Sequence, residues 1–130
     1  MREIAYYEAK FEALNEIMAA DPKVHLLNGT FLSLSPHRQL YQDLVKKYGD
    51  RMLSPPISEL GFCGLATGAA MAGLRPVVDI STGSFIFEGW PQVANSCTDS
   101  ITMQSAPSTA SFKLDLTRRV SNVSFLAVGS

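Results

Sequence analysis

The stretch PPISELGFCGLATGAAMAGLRPVV, residues 55–78, decides the fold. Its small apolar residues predict a helix from Ser58 to Ala72 that ends at Gly73, and RPVVDIS predicts a buried strand directly after it. A helix followed closely by a buried strand is typical of α/β domains. One acid, Glu59, stands at the head of this otherwise apolar helix, and its presence needs an explanation.

The rest of the chain continues the alternation of helices and strands. Helices are predicted at residues 4–20, 37–49 and 87–103. Strands are predicted at residues 23–29, 51–53, 112–120 and 123–129. The pattern predicts an α/β fold, with a mostly parallel sheet and helices on both faces.

Periodicity also predicts which side chains face the core. In the first helix these are Ala9, Ala13, Leu14, Ile17 and Met18, and in the second they are Leu40, Leu44 and Val45. Pro91 is expected in the first turn of its helix, where a missing N–H is tolerated.

Composition excludes several classes of protein. The 130 residues are 46% hydrophobic and carry a net charge of -1, with short basic pairs but no basic block, so no nucleic-acid partner is expected. Glu59 and Arg75 interrupt the apolar stretch, so no membrane span is expected. The chain opens directly into helical pattern, so we predict a cytoplasmic protein or one in another reducing compartment.

The cysteines and histidines suggest no metal site. Cys63 and Cys97 lie in apolar helical patterns and are predicted to be buried thiols. No CxxC or HxxxH spacing occurs, and His25 and His37 are separated in sequence. His25 alternates with apolar strand residues, which favours a histidine with its hydrogen bonds satisfied over a ligand.

Two explanations exist for Glu59. With Ser58 as N-cap, an acid in the first turn complements the helix dipole and contributes about 0.3–1 kcal/mol. This explanation leaves the small residues unexplained. Gly64, Gly68 and Ala72 recur every four residues with Gly61 beside them, and each glycine costs a helix about 1 kcal/mol relative to alanine. Such a bare face indicates close packing against a second helix, which can belong to another subunit.

Acid and glycines together resemble a known motif. The pattern EXXXXGΦXXGΦ (Φ apolar) marks the pyrimidine-binding domain of thiamine-diphosphate enzymes, and here it reads Glu59, Gly64, Leu65, Gly68 and Ala69. The sequence of residues 1–27 and 44–103 is similar to that of the beta subunit of the decarboxylating component of 2-oxo acid (pyruvate) dehydrogenase complexes. The resemblance implies a single transketolase-like pyrimidine-binding domain over residues 1–130, shortened at its C-terminus and without the family's C-terminal domain.

The resemblance implies roles for three residues. The acid at Glu59 would be catalytic: it hydrogen-bonds a ring nitrogen of the cofactor's aminopyrimidine, which activates the neighbouring amine to take a proton from the thiazolium carbon. Phe85 stands where the family places an aromatic against the pyrimidine, and Ile57 could line the same pocket. Either apolar residue could equally be plain core.

The resemblance also implies partners. The family's diphosphate and magnesium motif begins with GDG, which is absent here, since Gly49-Asp50 is followed by Arg51. Diphosphate and magnesium are therefore expected on an alpha-type subunit, and no metal ligand is assigned to this chain. Further copies of this chain and the lipoyl acyltransferase of the complex are the other expected partners.

The sequence departs from the family in three places. The acid expected after the first strand is replaced at Gly29 or Thr30, and residues 31–38 are rewritten. Residues 104–111 replace a family SGGQ segment. After Arg118 the family's active-site histidine is absent. Two hypotheses therefore remain: a beta-type subunit that completes a site with its partner, or a non-catalytic shortened paralogue or fragment that only binds a partner.

Overall fold

The computed structural model describes residues 3–27, 38–80 and 83–96, together with the backbone of residues 110–115 and 124–129. The helices are α1 (Tyr6–Ala20), α2 (Arg38–Tyr48), α3 (Glu59–Met71) and α4 (Ile86–Pro91). The strands are β1 (Val24–Leu27), β2 (Met52–Leu53), β3 (Arg75–Asp79), β4 (Ala110–Asp115) and β5 (Ser124–Gly129). Short 3₁₀ turns cover Gly49–Arg51 and Gly83–Phe85, and a π turn covers Gln92–Ser96.

The strands form one sheet in the order β2-β1-β3-β5-β4. β1 is parallel to both β2 and β3, with Leu26 opposite Met52 on one side and Val77 on the other. β5 runs antiparallel to β3 and to β4. Only the eight residues 116–123 join β4 to β5, which is fewer than the dozen or so that a parallel crossover needs. The predicted α/β class is confirmed, and its parallel part is β2-β1-β3.

Helices cover both faces of the sheet, as predicted. Adjacent strand residues point to opposite faces, so Leu26 and Val77 lie in one core and Leu27 and Val78 in the other. The first core lies under α1 and α2 and the second under α3 and α4. Their remaining buried members are Phe11, Leu14, Met18, Val24, Tyr41, Leu44 and Tyr48 in the first core, and Phe62, Cys63, Ala66, Ile80, Ile86 and Val93 in the second.

Local signals predicted where these helices end. Asp21, the residue before Pro22, has extended backbone angles and ends α1. Gly49 and Gly73 adopt positive φ angles of 46° and 89° after α2 and α3. The Gly73 N–H donates to the Ala70 carbonyl at 2.9 Å, which closes the last turn of α3.

The inward faces of α1 and α2 were predicted only in part. Ala13 is exposed, and Phe11 lies in the core instead, because the bulky Phe11, Leu14 and Met18 share one face of α1. In α2 the buried residues are Tyr41, Leu44 and Tyr48, whereas Val45 is exposed, so its predicted burial is wrong. Tyr41 and Tyr48 are buried although the predicted inward face did not include them.

The last predicted helix also differs. α4 begins at Ile86, so Pro91 is its last residue, and the prediction that Pro91 lies in the first turn is wrong. Pro91 has no N–H to continue the ladder, and the chain widens into the π turn immediately afterwards. The rest of that prediction, residues 97–103 with Cys97, lies outside the described residues. So do His37, Gly29, Thr30 and Arg118.

Asp21 links the end of α1 to the start of β3. Its Oδ1 accepts the Lys23 N–H at 2.8 Å, and its Oδ2 accepts from the Arg75 guanidinium at 2.6 Å. The Lys23 hydrogen bond, and then the charge of Arg75, hold the pKa of Asp21 below its ordinary value of 3.8 against the opposing effect of desolvation.

This lowered pKa predicts a loss of stability in acid. Because the folded pKa lies below the unfolded one, the Asp21 contribution is fully present above about pH 4 and is lost as the pH falls through the folded value. Asp21→Asn should therefore lower the free energy of unfolding at neutral pH. The difference in this free energy between the variant and wild type should shrink at about pH 3. Urea unfolding at both pH values measures it. The same loss with Asp50→Asn, an exposed acid of the 3₁₀ turn, would contradict the prediction.

Candidate functional site

The acid at the head of α3 is not the residue that caps the helix. Ser58 is the N-cap, with φ −164° and ψ 102°, and its Oγ accepts the Gly61 N–H at 3.1 Å. Glu59 follows as the first helical residue, and its side chain is half-buried. Among the described residues, no hydrogen bond or ion pair engages the Glu59 carboxyl. The dipole still favours an acid here, but the helix start is complete without its carboxyl oxygens.

Glu59 and Phe85 lie at the same edge of the sheet. Only residues 72–74 separate α3 from β3, so α3 runs antiparallel to β3 and its first turn lies at the carboxyl end of that strand. Phe85 ends the 3₁₀ turn that follows the same strand end, and it is half-buried against the second core. Ile57, in the connector before α3, is 62% exposed. Ligands of open α/β sheets bind outside the carboxyl ends of the strands.

Gly89 brings α4 against the first turn of α3. A Cβ on this buried glycine would stand 2.8 Å from the Cys63 Sγ and 3.2 Å from the Glu59 carbonyl oxygen. This close approach holds α4, which begins directly after Phe85, against Glu59, the first residue of α3. Sequence reasoning missed this residue. The signal was a single glycine between bulky neighbours in FEGWP, a pattern that also occurs where a helix merely weakens.

We expect Gly89→Ala to destabilise the protein by about 1–3 kcal/mol, because a methyl group would overpack this contact. Adding Cys63→Ala should recover only part of the loss, since the Glu59 carbonyl belongs to the backbone and cannot withdraw. Denaturant unfolding of Gly89→Ala, Cys63→Ala and the double variant measures this. Full recovery of stability in the double variant would show that the clash with the Cys63 thiol accounts for the whole loss.

The predicted interface residues lie on the outer side of α3. Gly61 and Gly68 are exposed, Gly64 is half-buried, and Ala72 is the exposed C-cap rather than part of the helix. A Cβ at Gly68 would meet nothing within 4 Å in the described part of the chain. The atoms nearest to a Cβ at Gly64 belong to the Gln92 side chain, at 3.4 Å.

Large apolar side chains are also exposed on α3 and on α4. They are Leu60, Leu65, Met71, Phe87 and Trp90, each 46% to 75% exposed. The opposite side of α3 carries the buried Phe62, Cys63, Ala66, Thr67 and Ala70. A helix that is apolar on both sides is typical of one covered on both sides. We call the outer surface, formed by the α3 glycines and these five side chains, the α3–α4 apolar face.

The edge residues fit the aminopyrimidine end of thiamine diphosphate. A half-buried carboxyl that no other group engages can hydrogen-bond a ring nitrogen, and nearby apolar surface suits a flat aromatic ring. The functional roles of Ile57, Glu59 and Phe85 remain predictions. Across the described ranges, no three His, Cys, Asp or Glu side chains are grouped so that they could hold a metal ion.

Comparison with known proteins gives the family. Residues 2–115 match the family model described as transketolase, pyrimidine binding domain. The chain belongs to this family. It is 40% identical over 95 residues to the pyruvate dehydrogenase E1 component subunit beta, mitochondrial, of Bos taurus, which covers 72% of the chain and 26% of that relative. The Rattus norvegicus subunit of the same name is 42% identical over 90 residues, 68% of the chain and 25% of the relative.

A more distant relative extends the match. The Drosophila melanogaster pyruvate dehydrogenase E1 component subunit beta, mitochondrial, is 34% identical over 105 residues, 80% of the chain and 29% of the relative. The family predicted from the Glu59 motif is thus confirmed. The chain spans about a quarter of the length of these relatives.

Three other predictions concern Cys63, His25 and a membrane span. Cys63 is buried, as predicted. His25 is half-buried, and its Nδ1 donates to the Lys23 carbonyl at 2.9 Å, so this ring nitrogen has a hydrogen-bond partner. None of the helices in the described ranges has the length and hydropathy needed to cross a bilayer. The relatives' names place them in mitochondria, so a cytoplasmic location stays a prediction.

Proposed function

We propose that this chain acts as a beta-type subunit in thiamine-diphosphate-dependent oxidative decarboxylation of a 2-oxo acid, with pyruvate as the substrate. The observation that carries this is Glu59. Its half-buried carboxyl heads a glycine-rich helix, caps nothing, and stands at the carboxyl edge of the sheet. The relatives that share this region are pyruvate dehydrogenase E1 beta subunits, and their name supplies the substrate class.

The residues of the chain have simple tasks in this proposal. Bound thiamine diphosphate supplies the electron sink for decarboxylation. Glu59, with its carboxyl protonated, donates a hydrogen bond to a ring nitrogen of the aminopyrimidine and can share that proton. Phe85 and Ile57 offer apolar surface to the ring and exclude water from the carboxyl. Ile57 is too exposed in the chain alone to do so, which is consistent with a site completed by a partner.

The proposed partner is an alpha-type subunit that carries the diphosphate and magnesium sites. The α3–α4 apolar face supports this, because exposed apolar surface next to bare glycines suits close packing by another helix. Further copies of this chain are the second proposed partner for such a surface. The lipoyl acyltransferase of the complex would receive the acyl group from the cofactor.

An alternative function is a non-catalytic one, in which a shortened paralogue or fragment only binds a partner subunit. The replacement of the acid expected after the first strand by Gly29 or Thr30 favours it. In this alternative the α3–α4 apolar face still binds a partner subunit. Glu59 has no catalytic role and contributes only its favourable interaction with the helix dipole.

Co-expression with an alpha-type pyruvate dehydrogenase subunit tests the proposal. We expect the two chains to co-purify and the complex to release carbon dioxide from pyruvate when thiamine diphosphate and magnesium are added. This release should depend on the presence of the chain and on Glu59. A stable complex without Glu59-dependent turnover would establish the non-catalytic alternative instead.

A further inference from the structure

An ion pair joins α1 to the end of β3 inside the protein. The Lys10 Nζ lies 3.1 Å from the Asp79 Oδ2, and the two side chains are only 11% and 1% exposed. Asp79 is the last residue of β3, and alternation along the strand places it with Val77 on the face that α1 covers. The next residue, Ile80, is fully buried in the other core.

Stability alone is a weak explanation for such a pair. Desolvating two charges costs several kcal/mol, so an apolar pair of similar volume is often as stable or more so. A charge-assisted hydrogen bond adds something that apolar contacts lack, because its distance and direction are narrowly defined. A buried ion pair is therefore suited to fixing the positions of the two segments that carry its partners.

The segment that follows Asp79 leads to the candidate site. The ion pair holds the end of β3 from one face of the sheet, and Ile80 anchors it from the other. Phe85 follows five residues after Ile80, and α4 then packs through Gly89 against the first turn of α3. The position of β3's end thus sets where the turn bearing Phe85 begins.

We infer that Lys10 and Asp79 are positioning residues for the aromatic wall of the cofactor site. This inference rests on the proposed function for its consequence, although the geometry that it predicts belongs to the chain alone. Lys10 acts through Asp79 and the end of β3.

The same strand offers a matched control. Arg75 begins β3, and its ion pair with Asp21 bridges at 2.6 Å to the end of α1. This pair lies at the opposite end of the strand, and its side chains are 38% and 22% exposed. Removing it also unties β3 from α1, but at the edge of the sheet away from Phe85.

The decisive variant replaces both partners, Lys10→Met with Asp79→Leu. Lys10→Met alone would remove the positive charge beside a buried carboxylate and can unfold the chain, whereas the double replacement removes both charges and favours folding. Asp21→Asn with Arg75→Gln is the control. Amide hydrogen exchange, followed by NMR on each chain, reports local opening at residues 83–86. Thiamine diphosphate affinity is measured by calorimetry on each variant assembled with the alpha-type subunit.

In the Lys10→Met/Asp79→Leu variant we expect exchange at residues 83–86 to accelerate and cofactor affinity to fall, each by about tenfold, since small displacements at a site have large effects. The control pair should change neither. Wild-type exchange and affinity in the double variant would overturn the inference, as would equal losses in the control. A wild-type complex that binds no thiamine diphosphate would instead refute the proposed function, and hydrogen exchange would still decide whether the pair positions the turn.

Discussion

Replacing Glu59 by glutamine should lower decarboxylation by the assembled complex by at least about a hundredfold, the lower end of what a positioned acid–base group contributes. Glutamine has nearly the same shape and can still donate a hydrogen bond, but its amide cannot release and regain a proton. The helix should start normally, because Ser58 and not Glu59 holds the Gly61 N–H. The loss should therefore appear mainly in turnover, and the free energy of unfolding should fall by no more than about 1 kcal/mol, the helix-dipole contribution of the acid.

Glu88→Gln is the matched control for this experiment. Glu88 is an exposed acid in the first turn of α4, so its replacement makes the same change of charge near a helix start. Turnover, measured as carbon dioxide released from pyruvate at saturating cofactor, should be close to wild type in this variant. If Glu59→Gln and Glu88→Gln lose equal activity, the carboxyl of Glu59 has no specific role in activating the cofactor.

A leucine at position 68 should have opposite effects on the chain and on its complex. In the chain alone, a Cβ at Gly68 meets open space, so Gly68→Leu should stabilise α3 by up to about 1 kcal/mol. In the complex, the same side chain would stand where a partner helix is proposed to approach. Overpacking of about 1–3 kcal/mol would weaken association with the alpha-type subunit by about fivefold to 150-fold.

Ala13→Leu tests whether the effect is specific to the α3–α4 apolar face. Ala13 is a small exposed residue on α1, which covers the other side of the sheet. Its replacement adds a similar apolar side chain, and we expect association to stay at the wild-type level. Equilibrium unfolding of each chain and the dissociation constant of each complex provide the two measurements. Unchanged association in Gly68→Leu would place the partner elsewhere.

The candidate site was predictable where its signals are local. Ser58 as N-cap and Gly73 after the helix follow from neighbouring backbone chemistry, so the first and last turns of α3 were predicted to within a residue. The motif around Glu59 identified the family for the same reason, because its residues lie within about three turns of one helix. Gly89 escaped prediction, since its significance depends on Cys63 and Glu59 in another helix.

The sequence by itself determined the order of helices and strands, the buried pair Val77 and Val78, and the acid and glycines of α3. Each of these depends on residues close in sequence, whose periodicity and capping are fixed before the chain is packed.

Only the tertiary structure decided that Phe11 and not Ala13 faces the core, that β5 runs antiparallel beside β3, and that Lys10 meets Asp79. These outcomes depend on volumes and charges that distant segments bring together. Lys10 and Asp79 are 69 residues apart. No local pattern in the sequence predicts that a helix lysine and an acid at the end of a strand will be buried against each other.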